Sequence, residues 1–161
     1  PMVLEGPNYI YVDEKDFVDD PYVIYLRNEL GENLKSITGT AQYEVNKLSA
    51  ELGNADVELV RKELGTEFDM IVHEPDGILE IGQAGHSKAS GIERLCASLG
   101  IAKEDTYAFG DSANDVEMLE FVAHGIAMGN GTDVAKNAAE FVTTDIHKDG
   151  IWNGLKHYGL I

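Results

Sequence analysis

From residue 86 onward the spacing of apolar positions changes period several times. Ile92, Leu95, Cys96 and Leu99 recur at i, i+3, i+4 and i+7 after Ser87. That spacing predicts an amphipathic helix with one buried face, capped by Ser87 and stopped by Gly100. "TYAFG" then predicts a short strand, and "NDVEMLEFVA" a helix with Val116, Leu119 and Val122 on one side. "GIAMG" predicts a second strand, "TDVAKNAAE" a helix capped by Thr132, and "FVTT" a third strand. "DGIWNGLKHYG" closes the chain as a helix. Short apolar strands alternating with helices indicate βαβ units and a parallel sheet covered on both faces.

Residues 1–85 follow another pattern. "YIYV" and "LKSIT" predict strands, and "QYEVNKLSAELG" and "NADVELVRKELG" predict two amphipathic helices. "FDMIVHEPDGILEIG" predicts a hairpin turning at Asp76-Gly77, a dipeptide favoured in tight turns. The stretch after "YIYV" that carries Asp13, Asp16, Asp19 and Asp20 reads as solvated loop. An α+β lobe with antiparallel pairing is expected, joined through the glycines of "GQAGH" (82–86) to the α/β part. The division is therefore 1–85 and 86–161.

Composition narrows the classes. With 43% hydrophobic and 25% charged residues among 161, the chain can build a sizeable core. No apolar run approaches the roughly 20 residues that cross a bilayer. Nor does "PMVLEGPNYIYVDEKDF" resemble a secretory signal. The single cysteine, Cys96, falls on the apolar face of its helix and suits a reducing compartment, so a cytoplasmic protein is expected. A formal charge of −17, from 12 basic and 29 acidic groups, repels nucleic acid and anionic membrane surfaces. The acid is concentrated in residues 1–85, with 18 acidic and 6 basic groups against 11 and 6 afterwards. An anionic substrate would need a local positive site of its own.

Candidate chemistry gathers where "TYAFG" runs into "DSANDVEML". Asp111 and Asp115 lie around a strand-to-helix turn at the carboxyl end of a predicted parallel strand, where open α/β sheets bind ligands. Two carboxylates facing one small volume repel unless a cation lies between them, and magnesium favours such oxygen donors. The same residues also read as a helix start, Asp115 in the first turn and Asn114 with Glu117 as a capping box. Lys88 lies in the first turn of its helix, against the dipole by about 0.3–1 kcal/mol. Beside free backbone N–H groups it makes a phosphate site, and otherwise it is a solvated surface lysine. His73, His86, His124, His147 and His157 show no paired spacing for zinc.

"HSKASGIERLCASLGI", "TYAFGDSANDVEML" and "GIAMGNGTDVAKNAAEFVT…DGIWNGL" follow one another in the order and spacing of the haloacid dehalogenase superfamily. They resemble in particular its Cof-type phosphatases, which carry a large α/β cap. The resemblance implies the C-terminal half of a Rossmann-like parallel-sheet core (86–161) preceded by an α+β cap lobe (1–85). It implies a Mg²⁺-dependent phosphomonoester hydrolase working through an aspartyl-phosphate. Lys88 would neutralise the phosphoryl group, Asp111 would bind Mg²⁺, Asp115 would hold the ion directly or through water, and Asn114 would reach the phosphate. Small phosphorylated metabolites, sugar phosphates foremost, would be the substrates.

Two departures matter. Ala89 stands where the pattern has glycine after the lysine, a small change in a helix. The DxDGT motif that supplies the nucleophile and general acid is not found. "HEPDGIL" imitates it poorly, with Glu74 for the aspartate, Pro75 stiffening the turn and Ile78 for the threonine. The chain is thus expected to be the C-terminal part of a longer enzyme, inactive alone. The strand at Tyr107–Phe109 should have an open edge that the missing half or a second chain would cover. The alternative is a non-catalytic module that binds phosphate and metal and has lost its nucleophile.

Overall fold

The computed structural model describes residues 1–39, 41–73 and 77–161. It divides into two compact units, Pro1–Ala84 and Gly85–Ile161.

The first unit contains β1 (Met2–Glu5), β2 (Ile10–Val12), α1 (Pro21–Leu30), β3 (Leu34–Ser36), β4 (Lys47–Glu51), α2 (Val57–Leu64), β5 (Phe68–His73) and β6 (Ile78–Gln83). The strands form one sheet in the order β3-β2-β1-β4-β6-β5. Neighbours are antiparallel except β2 and β3. Val3 and Val12, paired across β1 and β2, pack with Val23 and Leu26 of α1 into the core of this unit. Lys47 ties the sheet's middle strands together, with Nζ 3.2 Å from Glu5 Oε1 and 2.9 Å from Glu80 Oε1. His73 Nε2 lies 3.4 Å from the other Glu80 oxygen.

Two expectations change here, and a third is met. "QYEVNKLSAELG" holds the strand β4 instead of a helix, because Leu48 and Ala50 alternate with Lys47, Ser49 and Glu51 between β1 and β6. The acidic stretch is not all loop. Asp20 caps α1, accepting from the N–H groups of Tyr22 and Val23, with Pro21 at the first helical position. The β5–β6 hairpin forms in register from Phe68↔Gln83 to His73↔Ile78. Its expected turn at Asp76, and the Glu74–Asp76 imitation of the nucleophile motif, lie outside the described residues.

The second unit contains α3 (Lys88–Leu99), β7 (Tyr107–Gly110), α4 (Val116–Phe121), β8 (His124–Ala127), α5 (Asp133–Ala138), β9 (Phe141–Val142) and α6 (Gly150–His157). The strands form a parallel sheet in the order β7-β8-β9. Ile126 and Ala127 of β8 are fully buried, with Leu119, Val122, Met128 and Ala135 around them. Gly154 lets α6 lie directly on the sheet: a Cβ there would come within 2.5 Å of the Phe109 ring. Ser87 caps α3 and Gly100 ends it in the left-handed conformation, as the pattern predicts. The expected burial of α3 is not found. Leu95 and Leu99 are 56% and 62% exposed, and β7 is an edge strand among the described residues.

At the amino ends of the strands an aromatic cluster fastens the last helix. Tyr107, His124 and Tyr158 are in mutual ring contact, and His157 stacks on Phe141. Glu140 Oε2 accepts from Tyr158 Oη at 3.1 Å and pairs with His124 Nδ1 at 2.9 Å. Burial and the Glu140 carboxylate push the Tyr158 phenol up to about 12.

Candidate active site

At the opposite end of the sheet, β7 delivers Gly110 and Asp111 into a single 3₁₀ turn, Ala113–Asp115, before α4 begins. The capping box that starts this turn is Ser112 with Asp115, not Asn114 with Glu117. Asp115 folds back over the turn, and Gly110 makes that possible. A Cβ on Gly110 would lie 2.6 Å from Asp115 Cβ.

Asp115 is buried and its two oxygens have separate partners. Oδ2 accepts from the backbone N–H of Asp111 at 2.8 Å and of Ser112 at 3.2 Å. Oδ1 accepts from Lys88 Nζ at 2.5 Å. Burial alone would raise the Asp115 carboxyl. The Lys88 hydrogen bond, the two amides and the lysine's charge outweigh it and hold the group below its ordinary range. Lys88 is 48% exposed, so its ammonium is anchored on one side and open on the other. It stands in the first turn of α3, whose Ser87 cap is completed by Ser90.

Asp111 is exposed, and among the described residues its carboxylate makes no hydrogen bond or ion pair. Its main chain is fixed at both ends. The N–H goes to Asp115, and the carbonyl accepts from Thr132 N–H at 2.8 Å and Thr132 Oγ1 at 3.3 Å. Asn114 is half-buried and accepts from Ser112 Oγ at 2.7 Å. The fold thus brings Lys88, Asp111, Asn114 and Asp115 to one end of β7. Thr132 is a neighbour that sequence reading assigned only to capping α5.

An open carboxylate at the end of a strand suits a hard cation. Among the described residues no group of three or more His, Cys, Asp or Glu is gathered as a ready cage. Asp111 fits magnesium, which keeps water and phosphate oxygens in its shell. Asp115, already engaged on both oxygens, fits the role of an orienting carboxylate beside it.

A parallel sheet flanked by helices, with these side chains at the carboxyl end of a strand, defines a Rossmann-like α/β fold with its candidate site where such sheets bind ligands. The chain belongs to the haloacid dehalogenase-like hydrolases, of the Cof type: a model of that family matches residues 1–155. It is 36% identical over 138 residues to the 5-amino-6-(5-phospho-D-ribitylamino)uracil phosphatase YitU of Bacillus subtilis, covering 83% of this chain and 47% of that one. It is 30% identical over 160 residues to a phosphoglycolate phosphatase of Halobacterium salinarum, covering 86% and 70%. The solved structure of the subclass IIB sugar phosphatase BT4131 shares the fold, with a TM-score of 0.80 at 24% identity, over 99% of this chain and 61% of that one. The chain thus spans about half the length of YitU and about three-fifths of the sugar phosphatase. Among the described residues no helix is long and apolar enough to cross a membrane.

Proposed function

We propose that this chain is the cap and C-terminal core of a Mg²⁺-dependent cytoplasmic phosphatase of small phosphorylated metabolites. The relatives' names favour sugar phosphates, phosphoglycolate and a phosphorylated ribitylaminouracil as the substrate range. The observation that carries the reading is the pairing of Lys88, at the start of α3, with Asp115 beside an open Asp111.

In this reading Lys88 presents its free side to the phosphoryl oxygens, and Asp115 keeps that ammonium aimed. Asn114 adds a neutral contact to the same group. Asp111 holds Mg²⁺, which when bound offsets charge on the transferring phosphoryl group. The nucleophile is an aspartate outside these 161 residues. Its oxygen bonds to phosphorus as the ester P–O bond breaks, the leaving oxygen takes a proton, and water later hydrolyses the aspartyl-phosphate. Residues 1–85 serve as the cap that selects the leaving group. The open edge of β7 and the bare face of α3 are where the nucleophile-bearing half packs, in the same polypeptide or in a second one.

The test is hydrolysis of an aryl phosphate. The chain alone should show no Mg²⁺-dependent turnover. Joined to a family N-terminal segment carrying DxDGT it should turn over, and Asp111→Ala should abolish the activity. Mg²⁺-dependent turnover by the chain alone would place the nucleophile within it. Phosphate binding without turnover in the joined protein would favour a non-catalytic module.

A further inference from the structure

The turn between β8 and α5 is Gly129-Asn130-Gly131-Thr132. In the fold it lies against Asp111. A Cβ on Gly131 would come within 3.0 Å of Asp111 Cα, of Asp111 O and of Met128 O. Gly131 is not among the glycines with positive φ, so the position calls for absence of bulk and not for an unusual backbone conformation. Its N–H donates to Met128 O at 2.8 Å, and Met128 N–H in turn donates to Gly110 O at 2.9 Å, which closes the turn onto the end of β7. The next residue, Thr132, directs both of its donors, N–H and Oγ1–H, at the Asp111 carbonyl. Its hydroxyl oxygen also accepts from Ala135 N–H at 3.4 Å to cap α5.

We infer that Gly131 and Thr132 are positioning residues for the Asp111 carboxylate. This rests on the reading of Asp111 as the magnesium-binding group. The main chain of Asp111 is held between Asp115 on one side and Thr132 on the other, so only its side chain is left to turn. Gly131 permits the close approach, and Thr132 fixes it. A shift of a few tenths of an ångström in the Asp111 backbone moves the carboxylate relative to Lys88 and Asp115, and a cation with strict geometry responds sharply to that.

The test is Mn²⁺ titration of the ¹⁵N-labelled chain, following paramagnetic broadening of the Gly110, Asp111 and Ser112 amide signals. The wild type should broaden selectively there, and Asp111→Asn should remove the effect. Gly131→Ala should weaken Mn²⁺ binding about tenfold or more, and Thr132→Val several-fold, while Thr132→Ser stays within about twofold. Asn130→Ala is the control in the same turn. Asn130 Oδ1 accepts from Ile146 N–H at 2.9 Å, so its loss should lower the melting temperature and leave Mn²⁺ affinity unchanged. If Gly131→Ala does not fold, the Thr132 pair decides alone. Wild-type affinity in Gly131→Ala and Thr132→Val, with Asp111→Asn silent, overturns the inference and leaves the metal reading standing. Absence of selective broadening in the wild type overturns both.

Discussion

Replacing Asp115 by asparagine isolates the charge of one buried carboxylate. Asparagine keeps an oxygen for the amides of Asp111 and Ser112 but turns an NH₂ toward Lys88, so the contact at 2.5 Å is lost. A hydrogen bond to a charged group contributes about 1.5–3 kcal/mol. Lys88 is half-exposed and can swing into water, which discounts that figure to about 1–2 kcal/mol. Urea unfolding of the second unit can be followed alone, because Trp152 in α6 is the chain's single tryptophan. At pH 7 the midpoint should fall by roughly 1 M. The folded-state pKa of Asp115 is depressed, so its contribution is complete above the ordinary value near 4 and is lost as pH falls through the lowered folded-state value. The gap between wild type and variant should therefore be full at neutral pH and narrow only below about pH 4. A cycle with Lys88→Met should return a coupling of about 1–2 kcal/mol. Equal midpoints at pH 7, or a gap that widens toward pH 3, would refute the argument.

Lys47→Met leaves Glu5 and Glu80 facing each other and should destabilise the first unit by about 1–3 kcal/mol, read by circular dichroism. Burial would raise the Glu80 carboxyl, but Lys47 and His73 hold it low, so the deficit should be largest at neutral pH and shrink below about pH 4. Tyr158 should titrate near 12 in ultraviolet absorbance, and Glu140→Gln should bring it down toward the ordinary value of about 10. A raised folded-state pKa means that its stabilisation is whole below about pH 10 and lost as pH climbs toward 12. Gly110→Ala should cost about 1–3 kcal/mol by crowding Asp115 and should lower the coupling in the Lys88–Asp115 cycle; an unchanged melting temperature and coupling would count against the packing argument.

Much of the second unit was legible because its signals are local. Ser87, Gly100 and Thr132 punctuate helices in the sequence as they do in the fold. Ser112-x-x-Asp115 also has the form of a capping box, and the rival Asn114–Glu117 pairing concealed it. The first unit was harder. Val45, Leu48 and Leu52 have helical spacing, yet pairing of Lys47–Glu51 with β1 and β6 makes the middle of that segment a strand, tertiary context overriding local pattern. In α1 the Asp20-Pro21 start was a usable signal, masked by the aromatic and β-branched residues that follow. The contact of Gly131 and Thr132 with Asp111 had no sequence signal, since it joins two turns that only the sheet brings together.

The two sheets differ in how far along the chain each strand must reach for its neighbour. In the second unit β7 pairs with β8 and β8 with β9, always the next strand in sequence. In the first, β1 pairs with β4, Leu4 lying opposite Leu48, and β4 with β6, each reaching past intervening strands. Closing long loops slows folding, and sequence-local pairing speeds it. The second unit should accordingly reach its native hydrogen bonds first in a refolding experiment. The carboxylate pair is then in place while the larger sheet is still searching for its register.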